Sequence, residues 1–333
     1  MSKTSNHIFD KFGRKHDYLR ISLTERCNLR CFYCMPEEGV QLRDKAEFMT
    51  PEELLSIAKT FVDLGVKKIR LTGGEPLIKK NAELIIRELG KLPVELSITT
   101  NAVIVDRFID IFKEAGIKAV NVSLDSLEED SFNAISRRNY FKEIKDNIQL
   151  LLENDFKVKI NVVVIRDVNN HEINDFVRWS KTENVHIRFI EFMPFDGNSW
   201  KSEKTISFKE ILDLVDSEFG VDGYTKLEGE PNDTSRNFEL KDGVGTFGII
   251  SSVTNLFCDS CNRIRLTADG KIKNCLFSED ESDLLSLYRN GEDIEPIIRK
   301  TFLLKQKEHG GLAAFSNEDV AGHKNRNMTS IGG

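Results

Sequence analysis

The chain has 333 residues, 40% of them hydrophobic and 30% charged, with a formal net charge of -7. That length holds one large domain or a large and a small one, and the negative balance argues against broad attraction to nucleic acid or an anionic membrane while leaving room for a local basic pocket. The longest aliphatic stretch, Val158 to Ile165, is interrupted by Lys159 and Asn161 and is too short to span a bilayer. Residues 1–18 are polar and charged with no secretory signal, so a cytoplasmic location with reduced thiols is expected.

In chain order, the first predicted strand is Tyr18–Leu23. Just past its end come Cys27, Cys31 and Cys34, spaced C-x3-C-x2-C. Scattered buried thiols would act as small apolar residues, but a tight triplet in a reducing compartment points to metal or cluster binding. Three thiolates can hold three irons of a [4Fe–4S] cluster and leave the fourth open, whereas ordinary clusters use four cysteines. Structural zinc usually takes four protein ligands, and no histidine lies near enough in sequence to be the fourth.

A helix is predicted over 51–64, with Thr50 as N-cap, Pro51 at its first position and Glu53 completing a capping box. Strands follow at Lys67–Leu71, Val94–Thr99, Lys118–Leu124, Val158–Ile165 and Val185–Ile190, with helices near 80–90, 103–115, 139–154 and 171–182 between them. Such alternation implies parallel strands with right-handed crossovers. About six βα units, against the eight of a closed TIM barrel, predict an α/β fold: a partial (β/α)6 TIM-like barrel open on one side.

These strands are apolar on one face only, although parallel strands are usually apolar on both. Leu19 and Ile21 alternate with Arg20 and Ser22, Ile69 and Leu71 with Lys68 and Arg70, Ile98 with Thr99, Val122 with Ser123, Ile160 with Lys159, and Ile187 with Arg188. If the apolar phase packs on helices, the polar phase lines the lumen. Buried cations without partners are costly, so Arg20, Lys68, Arg70, Lys159 and Arg188 imply an anionic ligand. A one-sided antiparallel sheet with its polar face in water is the alternative.

Met193 to Ser207 reads as a linker into a smaller, irregular α+β region, dividing the chain into 1–200 and 201–333. There 208–219 look helical, 236–250 look like short strands and 283–307 are largely helical. Cys258, Cys261 and Cys275 form a second triplet, C-x2-C-x13-C. Asp269-Gly270 signals a two-residue hairpin turn, which would set Cys275 opposite Ile264. Arg263 and Arg265 share one strand face and could clamp an anion beside an open iron. A structural zinc loop with exposed arginines is the other reading.

The first triplet, with Tyr33 before its last cysteine, resembles the signature of the radical S-adenosylmethionine (SAM) superfamily, and Gly73-Gly74-Glu75-Pro76 stands where that superfamily contacts the SAM amino group. With Leu19-Arg20-Ile21-Ser22, Lys68 to Thr72, Asn121 to Asp125, Arg188 to Met193, the C-x2-C-x-R-x-R run and a terminal Gly332-Gly333, the chain from about residue 9 onward resembles the GTP 3′,8-cyclase family of molybdenum cofactor biosynthesis. Lys79, Lys80 and Asn81 depart from the arginine and aspartate usual after that glycine motif.

The resemblance implies two [4Fe–4S] clusters, on Cys27, Cys31 and Cys34 and on Cys258, Cys261 and Cys275. It implies SAM contacts from Tyr33, Gly74, Ser123 and Met193. It implies GTP contacts from Arg20, Lys68, Arg70, Thr99, Lys159, Arg188, Arg263 and Arg265, with guanine bound at the second cluster, and a Gly332-Gly333 tail reaching into the active site. Expected partners are GTP, a low-potential electron donor and, downstream, cyclic pyranopterin monophosphate synthase; a homodimer is compatible with the sequence. The alternatives are a radical SAM enzyme that modifies a peptide and a non-catalytic, zinc-stabilised nucleotide-binding protein.

Overall fold

The computed structural model describes residues 6–35, 38–39, 43–312, 314–321 and 323–332. A short antiparallel hairpin, β1 (Ile8–Phe9) and β2 (Lys15–His16), precedes the main sheet. Six parallel neighbours follow in chain order: β3 (Tyr18–Ser22), β4 (Lys68–Thr72), β5 (Glu95–Thr100), β6 (Ala119–Ser123), β7 (Lys157–Val164) and β8 (Val185–Glu191).

Helices Pro51–Asp63, Ala82–Gly90, Ile109–Glu114, Phe141–Glu153 and Ile173–Thr182 make the crossovers. The Thr50 capping box is formed: Glu53 N donates to Thr50 Oγ1 at 3.3 Å and Thr50 N to Glu53 Oε2 at 2.8 Å. The helix expected from 103 starts later, with a 3-10 turn at Val105–Phe108, because the Asn101 side chain accepts from Val103 N and Ala102 adopts a positive φ of 63°. Three helices, Glu129–Ser136, Asn317–Ala321 and Met328–Ile331, were not expected; the run of the first, EDSFNAIS, is polar and short.

The C-terminal region extends both edges of this sheet. On one side β11 (Thr246–Ile250) lies parallel to β8, followed by β10 (Arg236–Leu240) and β9 (Tyr224–Lys226). On the other, β12 (Arg263–Leu266) lies parallel to β3, followed by β13 (Lys271–Lys273) and β14 (Ser282–Asp283). The result is a 12-stranded sheet, β14-β13-β12-β3-β4-β5-β6-β7-β8-β11-β10-β9. Its two ends, β14 and β9, are not paired with each other among the described residues, so the barrel is partial.

Leu19, Ile21, Ile69, Leu71, Ile98, Val122, Ile160 and Ile187 are fully buried against the helices, as the apolar phase requires. No helix among the described residues is long and apolar enough to cross a membrane.

One expectation of register is corrected. Arg265 pairs with Lys273 and Leu266 with Ile272, which is one residue off the predicted alignment. Thr267 closes onto Lys271, with Gly270 at φ 70°. This is a three-residue loop ending in a left-handed glycine bulge rather than a two-residue turn. Cys275 therefore lies two residues beyond the partner of Arg265, not opposite Ile264.

Candidate active site

A cavity of about 300 Å³ opens at the C-terminal ends of the parallel strands, where barrels of this kind place their sites. Its lining brings together Arg20, Tyr33, Cys34, Arg70, Gly74, Thr99, Ser123, Arg188, Met193, Cys258, Cys261, Arg263, Arg265 and Cys275. Both triplets thus reach one cavity, although Cys258 follows Cys34 by 224 positions even at their nearest.

The first triplet sits on the loop after β3. Cys27 Sγ accepts from Leu29 N at 3.4 Å and lies 3.7 Å from Asn101 Nδ2. Burial, then the nearby Glu75 carboxylate, pushes the Cys27 thiol up to about 11. Burial likewise raises Cys31 and Cys34. Thiols held this far from ionisation call for a cation among them before they can act as thiolate ligands.

The glycine pair after β4 locks onto this loop. Gly74 N donates to Thr24 O at 2.7 Å, and a Cβ at Gly74 would fall 2.2 Å from Arg26 O. Only glycine allows that approach. Glu75 turns inward, accepting from Thr100 Oγ1 at 2.8 Å, Asn101 N at 2.7 Å and Leu77 N at 3.0 Å, and burial raises it to about 7.

In the second triplet burial opposes ionisation of Cys261, but Arg263 and Lys305 outweigh it and bring the thiol down to about 6. Lys305 is 2% exposed, with Nζ 3.7 Å from Cys261 Sγ. All six cysteines are half-buried and free. Among the described residues, the group of three ligand atoms lying within 4.8 Å of one another is Glu128, His171 and Glu172, which includes no cysteine.

Between the triplets the strand register builds rungs of cations. Arg265 of β12 aligns with Arg20 of β3, which aligns with Arg70 of β4. Below them, Arg263 aligns with Tyr18 and Tyr18 with Lys68. Adjacent strands are only about 4.8 Å apart, and like charges directly opposite repel. Burial, then Arg265, lowers Arg20 well below the usual arginine range. Burial, then Arg188, Arg70 and Lys68, pulls Lys159 from 10.5 to about 8. Arg20 Nε and Arg188 Nε are buried without an acceptor. Unpaired buried donors of this kind are expensive, and a polyanion would satisfy them.

Lys68 and Lys159 do not line the cavity's described wall. Lys68 Nζ instead pairs with Glu95 at 2.6 Å and stacks over the Tyr18 ring. Lys159 aligns with Asn121 and His186.

Several residues carry the site without having been singled out. Asp125 accepts from Tyr33 Oη at 2.6 Å and Val163 N at 2.9 Å, and burial raises it to about 6. Its place two residues past Ser123, at the end of β6, was the available signal. Glu191 gathers Val253 N, Thr254 N and Phe208 N at 2.7, 2.9 and 3.1 Å, tying β8 to the C-terminal region. The tail enters too: Arg265 Nη1 donates to Gly332 O at 2.6 Å. Gly333 lies outside the described residues.

Comparison with known proteins matches residues 21–180 to the Radical SAM superfamily and 185–311 to Molybdenum Cofactor Synthesis C. The chain is 42% identical to GTP 3′,8-cyclase of Listeria welshimeri, over 97% of this chain and 98% of that one. It is 42% identical to molybdenum cofactor biosynthesis protein 1 of Dictyostelium discoideum, over 98% of this chain but 52% of that protein. The chain therefore spans about half the length of the eukaryotic relatives of that name. The structure of Streptococcus suis SuiB bound to S-adenosylmethionine superimposes with a TM-score of 0.63, covering 90% of this chain and 71% of that one. At 14% identity that likeness concerns the fold.

Proposed function

Because the chain belongs to the GTP 3′,8-cyclase family of the radical SAM superfamily, we propose that it converts GTP to 3′,8-cyclo-7,8-dihydro-GTP in the cavity between its two cysteine triplets. The observation that carries the reading is the rung Arg265-Arg20-Arg70: three guanidinium groups on adjacent strands facing one lumen, with Arg20 Nε buried and without an acceptor. Such an array is stable only with a strong anion in place, and a triphosphate has the charge and acceptor oxygens to fill it.

The residues also fit the two clusters. Each triplet offers three free thiols, one fewer than the four protein ligands structural zinc usually takes. Cys27, Cys31 and Cys34 would hold the first [4Fe–4S] cluster and Cys258, Cys261 and Cys275 the second. When bound, the reduced first cluster with SAM supplies a 5′-deoxyadenosyl radical to take the hydrogen from C3′ of GTP.

The chain's own residues bind and orient. Tyr33, Gly74, Ser123 and Met193 would contact SAM, with Asp125 holding the Tyr33 hydroxyl in place. Arg20, Arg70, Thr99, Arg188, Arg263 and Arg265 would hold GTP. Lys159 would add charge from the floor of the lumen, and Lys68 would exchange Glu95 for phosphate. Holding both reactants between the triplets turns a bimolecular encounter into an oriented one and keeps water from quenching reactive carbon centres. The product would pass to cyclic pyranopterin monophosphate synthase, and the first cluster would draw on a low-potential electron donor.

The test is anaerobic incubation of reconstituted protein with SAM, reductant and GTP, followed by mass analysis of the nucleotide. Formation of the cyclised nucleotide is expected, together with two [4Fe–4S] clusters per chain. Replacing Cys27, Cys31 and Cys34 by alanine should abolish SAM cleavage and leave the second cluster. Stoichiometric zinc without iron, or unchanged GTP, would overturn the reading.

A further inference from the structure

The tail's last described turn, Met328–Ile331, is four residues long. A helix so short has no stability of its own, and termini fray unless tied down. Yet Thr329, Ser330 and Ile331 are buried, and Ile331 packs with Phe195 and Phe277. Gly332 sits so close to β3 and β4 that a Cβ would come within 2.5 Å of Thr72 Oγ1. Something just upstream has to fix where this segment starts.

Arg326 does so through a half-buried charge network. Its Nη1 and Nη2 donate to Asp269 Oδ1 and Oδ2, both at 2.9 Å, and Nη2 also donates to Glu281 at 2.6 Å. Glu25 lies 3.8 Å away. Arg43 closes the network, reaching Glu25 at 2.6 Å and Asp269 at 3.2 Å. The Asp269 side chain is 4% exposed. Burial would raise its carboxyl, but Arg326, Thr267 and Arg43 outweigh that and hold it at about 2. On either side, Asn325 Nδ2 donates to Leu276 O at 3.0 Å, and Asn327 caps the terminal turn through Ser330 N at 3.0 Å.

The geometry matters because Asp269 lies in the loop that follows β12, the strand bearing Arg265. Arg326 and Gly332 therefore dock on one hairpin, four residues apart on it, so the tail is measured against the arginine it meets. Glu25, two residues before Cys27, brings the first triplet's loop into the same network.

We propose that Arg326 is a positioning residue for GTP cyclisation: its forked pairing with Asp269 sets the tail so that Gly332 O receives Arg265 and holds that guanidinium in the cation rung. The proposal rests on the cyclase reading, and its test separates the two. A lysine keeps the charge but not the two-pronged geometry, which grades the effect.

The experiment compares native, Arg326→Gln and Arg326→Lys protein, each anaerobically reconstituted. Three readouts are taken: hydrogen exchange of residues 327–332, reductive SAM cleavage, and kcat and KM for GTP. In the glutamine variant the tail amides should lose protection and cyclisation kcat should fall about tenfold or more, the effect of one lost charge-assisted contact. SAM cleavage and iron content should persist, and lysine should fall between. Unchanged tail protection in Arg326→Gln would overturn the proposal, as would SAM cleavage lost in parallel with cyclisation. If glutamine prevents folding, the lysine variant decides, since a merely structural charge would be restored by lysine and the tail protection with it. If the native protein does not cyclise GTP, the cyclase reading fails, while tail exchange still reports whether Arg326 sets the tail.

Discussion

Lys159 sits among cations of its own fold, and its depressed pKa sets the sign of a pH effect. In the unfolded chain it stays protonated to about the ordinary 10.5, in the empty folded protein only to about 8. Between those values the unfolded state binds more protons, so the stability gained from this group rises with pH across that window. On the proposed function GTP would reverse the preference, because a phosphate beside Lys159 would favour the ammonium. GTP binding should therefore take up a proton above about pH 8 and weaken with rising pH, by about tenfold per unit at the steepest for one linked proton. Isothermal titration across pH 7–10 checks this, and Lys159→Ala should flatten the excess slope. Arg70→Ala should weaken GTP binding by about 1.5–3 kcal/mol, with SAM binding little changed; equal loss of both ligands would contradict the assignment. These cations were legible in the sequence because alternation along each strand separates helix-facing from lumen-facing positions. Asp125, Lys305 and Arg326 were not, since each matters through a partner that only the folded chain brings near.

At the scale of elements, the helices with strong caps were read closely. Thr50 and Glu53 declare one start, and the structure forms that box. Glu129–Ser136 escaped because its short polar run shows little apolar period. The hairpin after β12 was recognised but misaligned by one residue, since a loop with a left-handed glycine and a tight two-residue turn share the same Asp-Gly signal. The terminal turn offers a direct test of element placement. Gly332 has φ 81° and no room for a Cβ beside Thr72. Gly332→Ala should expel the turn from the cavity and free Arg265, lowering cyclisation sharply while iron content and SAM binding remain near native. Full cyclase activity in that variant would show that the Arg265–Gly332 contact is dispensable.

Across the whole molecule, the six βα units and the open barrel were legible because helical spacers force parallel strands. What the sequence concealed is that the C-terminal strands join the same sheet. No amphipathic spacer announces that β12 will lie beside β3, some 240 positions earlier in the chain, and although the helix Phe208–Phe219 separates β8 from β11, β9 and β10 intervene before β11 returns to lie beside β8. Such pairing is written in three-dimensional fit, not in local period.

That pairing has a consequence for how the protein is made on the ribosome. Until β12 emerges, β3 presents an unsatisfied edge, and β8 waits likewise for β11. Strand edges left open invite pairing with other chains, and contacts so distant in sequence form slowly. Meanwhile the first cysteine triplet is made long before Cys258, Cys261 and Cys275, which share its cavity. A fragment of residues 1–200 should therefore associate in solution, with light scattering well above that of the full chain at equal concentration. A monodisperse, monomeric fragment would show that the two edges are protected in some other way.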